Sequence, residues 1–263
     1  MPQRLGQHFL ASSPLLERIA ASACPDPVGL VVEIGPGRGA LTEKLLARAE
    51  RVLAIEIDPL LVAHLRAKFS DNPRLEIIQA DVLATDLARW GRVPIAGNLP
   101  YYITSPILEK ALRAEAPRAV FLIQKEVAAR LTAAPGTRDY GYLTVQTAVF
   151  GTARRLFDVK PGAFRPPPKV ESSVVLLEPH PAPAGIEDRD AFLGFLGHCF
   201  RQKRKTLRNN LAGVYGKEII DSWPEASRRA EQLPLATFAE LFRRLSAPPP
   251  ASEDPRREGR VSG

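Results

Sequence analysis

The sequence predicts an α/β protein: a mostly parallel sheet covered by helices, followed by a small all-helical part. Three observations predict it. Short apolar runs alternate with amphipathic stretches across residues 30–131, the rhythm of parallel strands with helices on both faces. Two strand-like runs, 152–159 and 170–178, are joined by only a short proline-rich loop, so they pair antiparallel. Beyond the linker 179–185, strand signals stop and helical patterns take over.

Taken in order, Ser13-Pro14 opens an amphipathic helix with Leu15, Leu16, Ile19 and Ala20 facing inward. Residues 30–34 form a buried strand ending in glycines, and 41–49 a helix. A second strand covers 51–57, and a second helix covers 59–69 with Pro59 in its first turn and Asp58 as its cap. Strands follow at 75–79, 93–97 and 119–123, with helices starting at Thr104-Ser105-Pro106 and covering 125–131. The antiparallel pair brings the sheet to seven strands. Helices are then expected at 190–201, 206–212, 218–223 and 235–245. The expected organisation is a flexible segment 1–11, a sheet domain 12–179, a helical domain 186–247 and a disordered tail 248–263.

Composition narrows the function. The chain has 263 residues, 45% hydrophobic and 25% charged, the balance of a soluble globular protein. Its net charge of +7 favours an anionic partner, nucleic acid being the commonest, although a basic surface also serves solubility. Cys24 and Cys199 lie far apart with no CxxC pair, which fits a reducing, cytoplasmic setting. The start MPQRLGQHFL lacks the apolar core of a signal peptide. No apolar run approaches the ~20 residues that span a bilayer. His8, His64, His180 and His198 show no metal-ligand spacing. Neither a membrane nor a metal is expected.

Four motifs carry chemistry. Glu33-Ile34-Gly35-Pro36-Gly37-Arg38-Gly39 lies between the first strand and its helix. Glycines there let the backbone turn sharply and let a ligand approach without an intervening Cβ. The spacing G-x-G-x-G departs from the dinucleotide pattern G-x-G-x-x-G and fits the turn that receives S-adenosyl-L-methionine. Glu56 ends the second strand, 21 residues after Gly35, where a carboxylate accepts hydrogen bonds from ribose hydroxyls; it would serve NAD equally well. Asp81 follows the third strand, placed to accept from an adenine amino group, or simply to close a turn. Together these sites mark one cleft at the carboxyl ends of neighbouring strands.

Asn98-Leu99-Pro100-Tyr101, after the fourth strand, is the most specific. An adenine amino nitrogen is a poor nucleophile because its lone pair is delocalised into the ring. Two acceptors, the Asn98 side-chain oxygen and the Pro100 carbonyl, bind its two N–H groups and favour a pyramidal nitrogen. Tyr101 offers a ring for the base to stack on. A sulfonium is already a strong methyl donor, so positioning and electrostatics supply most of the catalysis.

With Gln7-His8-Phe9-Leu10, these motifs resemble the ribosomal RNA adenine N6-dimethyltransferase family. The residues 124–130 and 159–172 extend the resemblance, which covers about residues 4–178. The helical part with Phe200-Arg201-Gln202-Lys203-Arg204-Lys205-Thr206-Leu207 resembles the small-subunit branch. The resemblance implies a Rossmann-like class I methyltransferase domain that uses S-adenosyl-L-methionine. Its implied substrate is 16S rRNA in the small ribosomal subunit, with N6 of two adjacent adenosines near the 3′ end dimethylated in a hairpin loop by a monomeric enzyme. The alternatives are the sister 23S rRNA methyltransferase of the macrolide-resistance type and an RNA-binding assembly factor with secondary catalysis.

The resemblance places His8, Leu10, Gly35, Gly37, Glu56, Ile57, Asp81, Val82 and Asn98 on the cofactor. His8 stands where the family more usually has Asn, so a main-chain contact there would survive and a side-chain contact would not. Phe164, in the proline-rich loop, is implied to stack on the base opposite Tyr101; the other reading is a hydrophobic plug under the loop. Arg201, Lys203, Arg204 and Lys205 belong to a run with five Lys/Arg in the eight residues 201–208, suited to phosphates.

Overall fold

Strands and helices alternate from the first residues of the structure, a computed structural model that describes residues 8–70 and 72–246. Strand β1 (Phe9–Leu10) and helix α1 (Ser13–Ala23) lead into β2 (Val28–Ile34), α2 (Ala40–Leu46), β3 (Ala49–Glu56), α3 (Pro59–Lys68) and β4 (Leu75–Gln79). Then come β5 (Ile95–Asn98), α4 (Thr104–Arg113), β6 (Ala119–Gln124), α5 (Lys125–Leu131) and α6 (Tyr142–Phe150). The sheet region ends with β7 (Gly151–Val159), β8 (Phe164–Arg165) and β9 (Ser172–Pro179). Four helices follow: α7 (Arg189–Cys199), α8 (Leu207–Tyr215), α9 (Lys217–Asp221) and α10 (Leu235–Ser246).

Seven strands form one sheet in the order β4-β3-β2-β5-β6-β9-β7. The five from β2 to β6 are parallel, and β9 runs antiparallel between β6 and β7. The chain leaves β2 towards β3 on one side and returns to β5 on the other. That reversal opens a crevice beyond the carboxyl ends of the strands. The sequence-predicted Rossmann-like sheet with a helical C-terminal part is therefore the observed fold.

Successive side chains of a strand point to opposite faces, and both faces of this sheet are buried. Val31, Val52, Val120, Leu122, Val174 and Leu176 join one apolar cluster. Their neighbours Val32, Leu53, Phe121, Ile123, Val175 and Leu177 join the other. The second cluster continues without a break through Leu112 and Phe150 into Phe192, Phe195, Leu211 and Phe238. The C-terminal helices thus complete one face of the core. Asp58 caps α3 by accepting from Leu60 N at 2.9 Å, as expected of an Asp before Pro59.

Two features differ from expectation. Helix α6 has no counterpart in the sequence reading. Its run Tyr142-Leu143-Thr144-Val145-Gln146-Thr147-Ala148-Val149-Phe150 is β-branched and apolar nearly all round, because α6 lies between α4, α5 and α7 and presents no single wet face. The segment expected to be flexible, 1–11, is fixed from His8 onward. Phe9 and Leu10 pair antiparallel with Arg165 and Phe164 in a separate two-stranded ribbon, and Ala11 N donates to Ala163 O at 2.8 Å. Residues 1–7 and the tail 248–263 lie outside the described residues.

Candidate active site

The glycine turn is built from β2 outward. Gly35 N donates to Ile55 O at 3.0 Å, which carries the chain from β2 across the end of β3. Gly35 and Gly37 have φ of +67° and +57°, where a Cβ is strained. At Gly37 a Cβ would also lie 2.9 Å from the Phe9 ring, so the β1 strap seats directly on the turn. Glu56, at the end of β3, fastens the turn from below. Its Oε2 accepts from Gly37 N at 3.2 Å, and its Oε1 from Ile57 N and Asp58 N at 2.9 and 3.0 Å. Burial pushes the Glu56 pKa up, and those three backbone bonds oppose the rise. A carboxylate has about four acceptor positions. Three are used by main chain, which leaves acceptor capacity on Oε2 for a ligand hydroxyl.

Above this turn lies a cavity of about 240 Å³. His8, Leu10, Gly35, Gly37, Glu56, Ile57, Asp81, Val82 and Asn98 all line it, and so do Pro100 and Tyr101. The structure brings together every residue predicted to hold the cofactor. Asp81 serves its own turn as well, with Oδ1 accepting from Leu83 N at 2.8 Å. Side chains missing at the turn, apolar Ile57 and Val82, and carboxylates at two strand ends fit a nucleoside bearing an amino-acid chain. Among the described residues no group of three or more His, Cys, Asp or Glu is arranged to hold a metal, and no helix is long and apolar enough to cross a membrane.

Asn98 sits at the end of β5. Its Nδ2 donates to the His8 carbonyl at 3.0 Å, which fixes the orientation of the amide. Oδ1, the acceptor, takes no hydrogen bond from the described residues, and Asn98 lines the cavity. His8 makes this contact through its main chain, while its ring Nδ1 lies 2.9 Å from Pro166 O. The departure from Asn at position 8 therefore leaves the Asn98 contact intact.

The Pro100 carbonyl is already engaged. Expected to be an open second acceptor, it takes Ile103 N at 3.3 Å and the Thr104 hydroxyl at 3.1 Å. Thr104 Oγ1 also lies 3.4 Å from Tyr101 O, so the hydroxyl has a second acceptor to turn to.

Tyr101 is half-buried. Its hydroxyl bonds Ser172 Oγ at 2.8 Å, and its ring lies 6.0 Å from that of His8. Burial raises the phenol pKa and the Ser172 bond opposes it. Ser172 is fully buried on β9, held between Gln124 of β6 and Val159 of β7, so it is a rigid anchor. Tyr101→Phe, which keeps the ring and loses the anchor, is expected to raise KM for the acceptor severalfold. Tyr101→Ala also removes the ring expected to stack on the base, a contact worth about 1–3 kcal/mol. Steady-state kinetics check this, and a Phe variant matching the parent would remove any role for the anchor.

Phe164 is the clear departure. It was expected on a loop facing Tyr101, but it is 0% exposed and belongs to the apolar cluster with Leu10, Leu16 and Ile19. Pairing of Phe164 with Leu10 in the ribbon turns the ring inward. That burial is what the plug reading expects, and Phe164 does not line the cavity. The exposed ring at the mouth is Tyr102, 62% exposed and lining the cavity. Arg201, Lys203, Arg204 and Lys205 are exposed on the turn between α7 and α8 and do not line the cavity.

Glu33 opens the glycine-turn motif, where the sequence reading gave it no role of its own. It is 1% exposed, lines the cavity and accepts from Thr42 Oγ1 at 2.6 Å. Burial, opposed by the Thr42 bond and raised further by Glu56, lifts its pKa to about 8. A charged residue inside the apolar run of β2 was the visible sign.

Known proteins share this arrangement. The family model described as ribosomal RNA adenine dimethylase matches residues 2–246. A ribosomal RNA small subunit methyltransferase A from Acidobacterium capsulatum is 43% identical, over 92% of this chain and 90% of its own. A probable ribosomal RNA small subunit methyltransferase A from Methanosarcina mazei is 41% identical, over 90% and 91%. A dimethyladenosine transferase from Plasmodium falciparum has a similar structure, with TM-score 0.74 and 26% identity over 91% of this chain and 98% of that one. A 23S rRNA methyltransferase, ErmE, gives TM-score 0.67 and 29% identity over 91% and 100%. Fold, glycine turn, Asn98 segment and these matches agree: the chain belongs to the ribosomal RNA adenine dimethylase family.

Proposed function

We propose that the protein transfers methyl groups from S-adenosyl-L-methionine to N6 of two adjacent adenosines near the 3′ end of 16S rRNA in the small ribosomal subunit. It does so as a cytoplasmic monomer, in a hairpin loop, during ribosome biogenesis. One observation carries the reading: Asn98, its amide oriented by the His8 carbonyl and its acceptor without a partner among the described residues, lines the cavity beside the glycine turn.

When bound, S-adenosyl-L-methionine supplies an electron-poor methyl group on a sulfonium. The cavity residues Gly35, Gly37, Glu56, Ile57, Asp81 and Val82 would hold it, with the Glu56 carboxyl accepting from its ribose. Asn98 Oδ1 accepts one N6–H and directs the amine lone pair away from the ring. Tyr101, fixed by Ser172, supports the base. The Pro100 carbonyl accepts the second N–H when Thr104 turns its hydroxyl to Tyr101 O. A monomethylated amine has only one N–H left. Thr104 then stays on Pro100, no acceptor is orphaned, and the second transfer proceeds on Asn98 alone.

The test is direct. The protein is incubated with labelled S-adenosyl-L-methionine and unmethylated small or large subunits, and the RNA is digested to nucleosides. Labelled dimethyladenosine from the small subunit only is expected. Label confined to large-subunit RNA would replace the reading with the 23S one. No label beside an active control would leave an assembly factor.

A further inference from the structure

Lys125 stands where β6 ends and α5 begins, inside the stretch 124–130 that extends the family resemblance, yet it does not line the cavity. It gathers two acids from neighbouring strands. Its Nζ lies 2.5 Å from Glu171 Oε2 and 3.2 Å from Asp158 Oδ2. Its main-chain N also donates to Glu171 O at 3.0 Å. Asp158, near the end of β7, accepts through Oδ1 from Ser173 Oγ at 2.7 Å.

Between Glu171 and Ser173 lies Ser172, whose hydroxyl meets the Tyr101 hydroxyl at 2.8 Å. Both chain neighbours of the Tyr101 anchor are therefore tied, one directly to Lys125 and the other through Asp158. The ties fall at the weak side of the anchor. From Ser172 onward β9 is held by ladders to β6 and β7, whereas residues 166–171 before it belong to no strand or helix. Lys125, Asp158 and Glu171 are 41%, 39% and 44% exposed, and ion pairs so exposed contribute little to stability. Their use is geometric, since a support fixed before the substrate arrives holds a ring in one orientation.

We propose that Lys125 is a positioning residue for the acceptor base: by drawing Glu171 and Asp158 together it fixes both neighbours of Ser172, and through the Ser172 hydroxyl it sets the plane of the Tyr101 ring. This rests on the reading of Tyr101 as the support for the adenine. The two carboxylates lie within 3.2 Å of one ammonium. Without it they would face each other as like charges and repel, and the start of β9 would shift with them. The tie passes from Nζ to the two acids, to Ser172 between them, and to the Tyr101 hydroxyl, with no phosphate contact involved.

A double-variant cycle tests this. Steady-state kinetics with unmethylated small subunits and labelled S-adenosyl-L-methionine are measured for the parent, Lys125→Met, Lys125→Arg, Tyr101→Phe and the pair Lys125→Met with Tyr101→Phe, alongside melting temperatures. Lys125→Met is expected to raise KM for the subunits severalfold, as Tyr101→Phe does, with cofactor KM and melting temperature little changed. An arginine can still bridge two carboxylates, so Lys125→Arg should stay near the parent. Groups that act through one bond are not additive, so Lys125→Met should add nothing once Tyr101→Phe has removed the hydroxyl. A full further rise in KM in that background, or a Lys125→Met variant matching the parent, would overturn the positioning role. Parallel losses in cofactor KM and melting temperature would overturn it too, because they mark a residue of the scaffold. A parent that labels the small subunit while Tyr101→Phe matches it in KM would instead overturn the base reading of Tyr101, and the proposal with it.

Discussion

Asn98→Ala is expected to lower kcat for methyl transfer at least about 100-fold, the size of effect seen when one preorganised polar group is removed from a reacting centre. Two bonds go with the side chain. Oδ1 is the acceptor proposed for the substrate amine, and Nδ2 holds the His8 carbonyl at 3.0 Å. The second bond ties the β1 strap over the glycine turn, where Phe9 packs on Gly37. Loss of transfer in the alanine variant alone therefore has two explanations. Asn98→Asp separates them. A carboxylate still accepts from N6–H but faces the His8 carbonyl with no donor, so it repels the strap. The expected pattern is a large fall in kcat for Ala, with a smaller fall in kcat and a higher cofactor KM for Asp. Equal falls in kcat would assign Asn98 to strap anchoring rather than to the amine. Affinity for the ribosomal subunit should change little in either variant, since the exposed basic turn between α7 and α8 does not line the cavity.

Much of this site was legible because its residues fall at the carboxyl ends of strands, and those ends are marked by local chemistry. Gly35, Glu56, Asp81 and Asn98 each follow an apolar run by a residue or two, so periodicity placed them and topology gathered them. What stayed hidden depends on contacts distant in sequence. The β1–β8 ribbon is two residues long on each side and has no periodicity to read. Without it, Phe164 looks like a loop aromatic free to stack; with it, the ring is core. Helix α6 was missed because burial against α4, α5 and α7 removes the polar face that marks a helix. The occupied Pro100 carbonyl and the Lys203 ammonium, which donates to the Arg138 carbonyl, are likewise invisible in a motif, since each is decided by where one partner's atom ends up. Residue type indicates capability, and only packing shows which capability is already in use.

Glu33→Gln is expected to stabilise the protein progressively as pH rises from about 5 to 8, and to make little difference below that range. In the unfolded chain the carboxyl has its ordinary value of 4.5, whereas burial in the fold lifts it to about 8. Between those values the folded state holds a proton that the unfolded state has released. Stability linked to this group is therefore full below the unfolded value and is lost as pH climbs through the folded one, by roughly 1.4 kcal/mol per pH unit at most. Across the window the loss is on the order of several kcal/mol, a large share of the margin of a single domain. Glutamine cannot ionise, yet its amide oxygen can still accept the Thr42 hydroxyl that Glu33 takes at 2.6 Å. Urea unfolding of both proteins at successive pH values checks this. The variant's advantage should grow with pH and level off above about 8. Parallel curves would mean that Glu33 is ionised in the fold with solvent or a counter-charge reaching it, and the cavity wall beside Gly35 would then be wetter than its burial implies. The effect belongs to Glu33 rather than to Glu56, whose carboxylate keeps three backbone N–H donors in either protein. One buried acid is held by a single hydroxyl and the other by three amides, so the larger rise in pKa falls on β2.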